Sequence, residues 1–324
     1  MPDCRSLFPA HRKDPMANTA QIEGVTLHLA HPDTIPMKWI GSEYIRDQLV
    51  ASWMTVGEGD IPLNPRLIGK PGVGKTTLAY AVAKSLGRDV YIMQCTMDTR
   101  PEDLIITPVI AGAGQISYHA SPLTTALISG GTCILDEGNR MSEKSWASLA
   151  PLLDQRRYVE SIVAGIKVNA HPDFRVCVTM NDDASTYELP EYIQSRLQPQ
   201  IEIAFPKREE EIAILTFNVP FSPRGLAEYV ADFLQKAHAV NLPFTSRDGV
   251  NILRYALKLA ALRKEEPQGF LSEAIEAILG REGAQFLDTG VPSDRMRGAM
   301  RHDDDDDVDD EFFDEDEEDD EKLR

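Results

Sequence analysis

Cysteine is sparse and scattered. Cys4, Cys95, Cys133 and Cys177 are the only four in 324 residues, and none forms a C-x-x-C pair, so zinc and thiol-redox motifs have no footing. The last three fall in apolar runs that read as sheet strands, which predicts buried free thiols and a reducing compartment. No apolar run approaches the roughly 18 residues of a membrane span. Residues 1–14 carry Arg12 and Lys13 and no apolar core, so they do not read as a secretion signal, and a cytoplasmic location is expected. Met16 is a possible alternative start.

A basic excess is missing too. The net charge is −19; residues 303–324 hold 16 Asp/Glu against 2 Lys/Arg, so this tail carries −14 and the rest of the chain −5. Neither part offers the broad basic footprint of a nucleic-acid binder. The acidic tail, with Val308, Phe312 and Phe313 embedded, cannot bury enough apolar surface to fold and is expected to be disordered. Its role reads either as a solubility tail or as a docking peptide anchored by the two phenylalanines.

What the chain does have is one dense motif. Gly69-Lys-Pro71-Gly72-Val73-Gly74-Lys75-Thr76-Thr77 fits the phosphate-loop pattern G-x-x-x-x-G-K-[ST] at every fixed position. An apolar run at 66–68 reads as a buried strand before it, and 77–86 reads as a helix after it, stopped by Gly87. Gly69, Gly72 and Gly74 leave room for backbone N–H groups to turn inward on a polyphosphate, and the helix adds its positive end. Lys75 is expected to reach the β- and γ-phosphates, and Thr76 to ligate Mg²⁺.

Further strands are expected at 90–95, 132–135, 174–179 and 201–205, giving a five-stranded parallel α/β sheet. Ile45, Leu49 and Trp53 recur every four residues and predict a helix over 42–54. Additional helices are expected near 100–106, at 121–129, 142–155 and 187–195. A short strand is read at 22–29, two short strands around Gly112 and Gly114 at 109–118, and a hairpin at 157–168. Beyond Pro206 the pattern turns wholly helical, at 208–217, 224–240, 247–264 and 270–279. The expected organisation is an arm at 1–40, a nucleotide-binding α/β domain at 41–205, a helical lid at 206–287, and a linker with the acidic tail at 288–324.

The run at 132–135 ends in Asp136-Glu137. Beside a phosphate loop, an Asp at such a strand end is expected at the Mg²⁺ site, and Glu137 to orient and deprotonate the attacking water. From residue 43 to 263 the chain resembles the AAA+ ATPases, and within them the MoxR-like branch of dynein-related type. The resemblance rests on the phosphate loop, on Gly130-Gly131 leading to Leu135-Asp136-Glu137-Gly-Asn139-Arg140, on Leu152-Leu153-Asp-Gln-Arg156-Arg157, on Pro172-Asp-Phe174-Arg-Val, and on Thr179-Met-Asn181. It implies Asn181 as sensor 1, positioning the catalytic water. It implies Arg196, in Arg-Leu rather than the family's usual Arg-Phe, as an arginine finger for a neighbouring subunit, and Arg247 as sensor 2 at the head of a lid helix. It matches 109–118 and 157–168 to inserts that either face a central pore or serve as packing.

By resemblance the cofactors are ATP and Mg²⁺. The GTP-using McrB-like relatives carry M-N-x-x-D, whereas Met180-Asn181-Asp182-Asp183-Ala184 lacks the last Asp, which favours ATP. The implied function is a ring-forming ATPase, a hexamer, that remodels or activates a target protein or metal centre with a von Willebrand factor A domain partner. The alternatives are a metal-chelatase motor subunit, a DNA-restriction or helicase-like motor, and a scaffold without turnover. Neither a membrane nor nucleic acid is expected as a partner.

Overall fold

The structure, a computed structural model, describes residues 19–110, 114–182 and 189–291. Its centre is a parallel sheet of β3 (Arg66–Gly69), β4 (Val90–Gln94), β7 (Thr132–Asp136), β10 (Arg175–Asn181) and β11 (Gln200–Glu202), in the spatial order β11-β3-β10-β7-β4. The five expected strands are these five. They read as unbroken apolar runs because both faces are covered: all seven residues of β10 are buried. Alternate side chains then serve two cores. Val176, Val178, Cys133 and Leu135 face one, while Cys177 and Ile134 face the other.

The second of these cores is closed by α1 (Glu43–Trp53) and α2 (Lys75–Ser85). Trp53 is fully buried there, its Nε1 donating to the Val176 carbonyl at 3.1 Å. The first core is closed by α3 (Pro101–Leu104), α4 (Pro122–Ser129) and α5 (Glu143–Leu149). Ser121 caps α4, accepting from Thr124 N at 3.0 Å. The helix expected over 142–155 ends at Leu149, two residues before Pro151, which lacks the N–H to continue it. Cys95, Cys133 and Cys177 are buried free thiols; burial pushes Cys95 up to about 12, with Asp136 and Glu137 adding to the shift.

The strand expected at 22–29 is instead a hairpin, β1 (Thr19–Ile22) and β2 (Val25–His28), turning at Glu23 and Gly24 with φ of 48° and 82°. The two strands expected around Gly112 and Gly114 are β5 (Ile106–Ile110) and β6 (Ile116–Ala120); Gly112 lies outside the described residues. β2 pairs with β6 in parallel, so hairpin and insert form one four-stranded sheet, β1-β2-β6-β5. No local pattern signals that pairing, because its partners lie some ninety residues apart. The hairpin at 157–168 appears as β8 (Tyr158–Ser161) and β9 (Ile166–Asn169). Of the helix expected at 187–195, α6 (Glu191–Gln194) is described.

From Arg208 the described chain is helical: α7 (Arg208–Asn218), α8 (Arg224–His238), α9 (Ser246–Arg263) and α10 (Leu271–Thr289). They share a separate apolar core around Phe233, Phe244 and Phe286. The last helix runs ten residues past its expected end, with a break at Gly280, φ 71°. Among the described residues no helix is long and apolar enough to cross a membrane. Cys4, Met16 and the acidic tail lie outside them.

Leu27 tests the hairpin's place in the fold, since it is fully buried in the main core. Leu27→Ala is expected to cost about 2–4 kcal/mol, read as a lower urea midpoint with an unchanged slope. A surface-like loss below about 0.5 kcal/mol would show that the hairpin is not part of the core.

Candidate active site

The phosphate loop leaves β3 at the carboxyl edge of the sheet. Gly72 and Gly74 take φ of 82° and 99°, which side chains rarely adopt. The surroundings exclude a side chain as well: a Cβ on Gly72 would lie 2.8 Å from Thr245 Oγ1, and one on Gly69 would collide with the Ile203 carbonyl. Lys75, the first residue of α2, is 6% exposed and folds back over the loop. Its Nζ donates to the carbonyls of Gly69 and Lys70 at 2.7 and 2.9 Å.

Across the sheet edge, Asp136 ends β7. Its Oδ1 accepts two hydroxyls, from Thr76 at 2.5 Å and from Thr179 at 2.6 Å. Thr179 also accepts from the Glu137 backbone N–H at 3.0 Å. That bond anchors a residue held in the left-handed region, φ 56°, a conformation that a non-glycine adopts at a cost. The Glu137 carboxylate forms an ion pair with Arg140 at 2.7 Å and accepts hydrogen bonds from Gln94 Nε2 at 3.1 Å and Asn181 Nδ2 at 3.3 Å. Asn139 donates to the Asn181 carbonyl at 2.8 Å and fixes that strand end.

Thr179, Gln94 and Arg140 were not assigned roles in the sequence. Arg140 follows Glu137 at i+3, a spacing that could have pointed to it. Gln94 pairs in register with Asp136, a relation visible only in the sheet.

The loop, Asp136, Glu137, Thr179 and Asn181 border a cleft of about 540 Å³ between the α/β core and the lid. The core contributes Pro71 to Thr77, Asp136, Glu137, Thr179 and Asn181; the lid contributes Arg247, Val250 and Arg254; the segment before α1 contributes Trp39 and Ile40. The sequence-selected residues thus converge here, with Gly69 just beneath as an acceptor for Lys75. The exception is Arg196. It lies outside the cleft, its Nε 3.5 Å from Asp154, its Nη1 donating to the Tyr192 carbonyl at 2.5 Å and its guanidinium over the Tyr192 ring. The hydrogen bonds of Arg156, with added attraction from Arg196, hold the Asp154 carboxyl down at about 2. Asp183 and Ala184, used to weigh ATP against GTP, lie outside the described residues.

The donor set suits a nucleotide with a hard divalent cation. Inward-turned backbone, a lysine and a helix start suit phosphate, and a carboxylate with two hydroxyls suits an oxygen-ligated ion.

Known proteins carry the same core. The family model for the AAA domain, dynein-related subfamily, matches residues 66–197. Protein NorQ of Paracoccus denitrificans is 32% identical over 41% of this chain and 48% of its own. Protein CbbQ of Hydrogenophilus thermoluteolus is 31% identical over 36% and 43%. Denitrification regulatory protein NirQ of Pseudomonas aeruginosa is 32% identical over 36% and 44%. The matches thus span less than half the length of these relatives. Among solved structures, the Thermotoga maritima RuvB Holliday junction branch migration motor superposes with a TM-score of 0.53 at 16% identity, covering 81% of this chain and 75% of that one, a likeness of fold. Phosphate loop, Asp-Glu strand end and Asn181 all stand inside the matched span, and residues 66–197 of the chain form an AAA domain of the dynein-related subfamily, similar to NorQ, CbbQ and NirQ.

Proposed function

We propose that the chain hydrolyses ATP in this cleft and uses the energy as a ring-forming motor that remodels or activates a target protein or metal centre. The observation that supports it most is the meeting of Lys75, Thr76, Asp136, Glu137 and Asn181 at one cleft edge, from three separate stretches of chain. In this reading the loop amides and Lys75 bind the β- and γ-phosphates. Glu137, kept in place by Arg140, Gln94 and Asn181, takes a proton from the attacking water. Thr76 and Asp136 would hold Mg²⁺, which when bound neutralises phosphate charge. Arg247 reaches the nucleotide from the lid.

Arg196 supports the ring. It lies outside its own cleft, with a side chain 28% accessible, as suits a residue that acts on a neighbour's phosphate. A hexamer follows the family habit. A von Willebrand factor A domain partner draws support from one relative whose name contains it: von Willebrand factor A domain-containing protein 8 of Mus musculus, 27% identical over 59% of this chain and 11% of its own. A chelatase motor subunit would use the same chemistry; copurifying chelatase subunits would favour it. A DNA motor is disfavoured by the acidic balance of the chain.

Steady-state ATPase assays with GTP as competitor test the catalytic reading. Glu137→Gln is expected to keep nucleotide binding and lower kcat by about 10²–10⁴; turnover at the wild-type rate removes Glu137 as the base. Thr179→Val strips a donor from Asp136 and an acceptor from Glu137 N, and is expected to lower kcat about tenfold or more.

Subunit mixing tests the ring. Arg196→Ala and Glu137→Gln are each expected to be nearly inactive alone, the former down by about 10³-fold, yet to regain measurable turnover when mixed. In mixed rings some intact clefts meet an intact Arg196. Full activity of Arg196→Ala by itself would remove the trans assignment.

A further inference from the structure

Within the lid lies an ionisable pair that is not part of the cleft lining. Glu211, on α7, is fully buried, and neither carboxylate oxygen has a hydrogen-bond partner of good geometry. His238, the last residue of α8, is almost as enclosed; its Nδ1 also lacks such a partner and lies 4.0 Å from Glu211 Oε2. Buried groups left open this way are uncommon in native proteins.

The imidazole's protonation follows from its other side. Nε2 lies 2.7 Å from the Phe244 carbonyl. A carbonyl only accepts, so Nε2 carries the proton and the neutral ring presents a lone pair at Nδ1. That lone pair can be satisfied from Glu211 only if the carboxyl holds a proton. Burial pushes Glu211 up to about 7, with Ser246 and Gln235 opposing, and burial pulls His238 down. Near neutral pH the proton is therefore gained or lost at Glu211.

The pair sits at the joint between core and lid. Phe205, leaving the core, stacks on His238 with ring centroids 3.9 Å apart and planes 7° from parallel. Gln235, also on α8, donates to the Pro206 carbonyl at 2.9 Å. Ser246, which Glu211 faces, opens α9, and the next residue, Arg247, lines the cleft. Several other charged groups on the facing helices have partners of their own. Asp232 pairs with Arg208 beside Lys236, Asp248 accepts from Thr245, and Arg254 donates to the Asn218 carbonyl.

We propose that Glu211 is a positioning residue: with His238 it forms a proton-carrying latch at the lid joint that holds the start of α9, and Arg247 with it, over the nucleotide. The inference rests on the nucleotide reading of the cleft. With the proton present, the Glu211 O–H donates to Nδ1 once the helices close by about 1 Å. With the proton lost, a carboxylate faces a lone pair in a site closed to water, and the latch opens. The sign follows: a carboxyl raised from 4.5 to about 7 favours the folded, latched form at low pH, and that contribution is lost as pH rises through about 7.

Calorimetric titration of the full chain with ADP and excess magnesium, at pH 6 and pH 8, tests this. The wild type is expected to bind about fivefold more weakly at the higher pH, as the latched population falls. Glu211→Gln cannot lose the proton, and His238→Phe keeps the ring stack but offers no acceptor; both are expected to bind equally at the two pH values. A wild type without pH dependence overturns the latch, as does a Glu211→Gln variant that keeps it. If Glu211→Gln shows no thermal unfolding transition, His238→Phe decides on the same criterion. Lys75→Ala separates the two layers: unchanged ADP affinity there places the failure in the nucleotide reading, not in the latch.

Discussion

One carboxylate oxygen organises the nucleotide face. Asp136 Oδ1 takes hydroxyl protons from Thr76 and Thr179 at once, at 2.5 and 2.6 Å. Bonds to a carboxylate are shorter and stronger than neutral ones, so they set three chain segments against one another. The arrangement needs the strand order β3-β10-β7. Because β10 inserts between the loop-bearing strand and the Asp136 strand, Thr179 stands between the two motifs. The same hydroxyl then receives the Glu137 N–H and helps hold that residue in its left-handed turn. Position of the metal-ligand candidate and position of the base candidate are therefore coupled through a single threonine.

The lid adds the other wall. Its contact with the loop is close enough that Gly72 leaves no room for a Cβ beside Thr245. Core and lid otherwise keep separate apolar cores, joined at Phe205 and Pro206. Two bodies with their own cores and a short joint can rock as units. In such a design the joint's polar contacts, rather than the large cores, decide how the cleft is set.

The second sheet shows a different economy. The β5–β6 insert would have a bare edge along β6, and the N-terminal hairpin covers it through β2. Residues far from the phosphate loop thereby join the main core, with Leu27 fully enclosed.

Most of the sheet and the lid were legible locally. Fully buried strands must be apolar throughout, and α8 and α9 bury one face each, so both leave periodic traces. The phosphate loop was legible because its glycines and lysine are dictated by chemistry within nine consecutive residues. Asn181 and Arg247 were placed by motif order, and both border the cleft. The sequence by itself therefore determined the element types, the loop and the Asp136-Glu137 pair. Only tertiary structure decided that Thr179 bridges Asp136 and the Glu137 N–H, that Gln94 and Arg140 hold Glu137, that Arg196 lies outside its own cleft, and that Glu211 is sealed against His238. Each of these depends on strand order or helix packing between distant segments, and a hydrogen bond across such a distance leaves no periodicity along the chain.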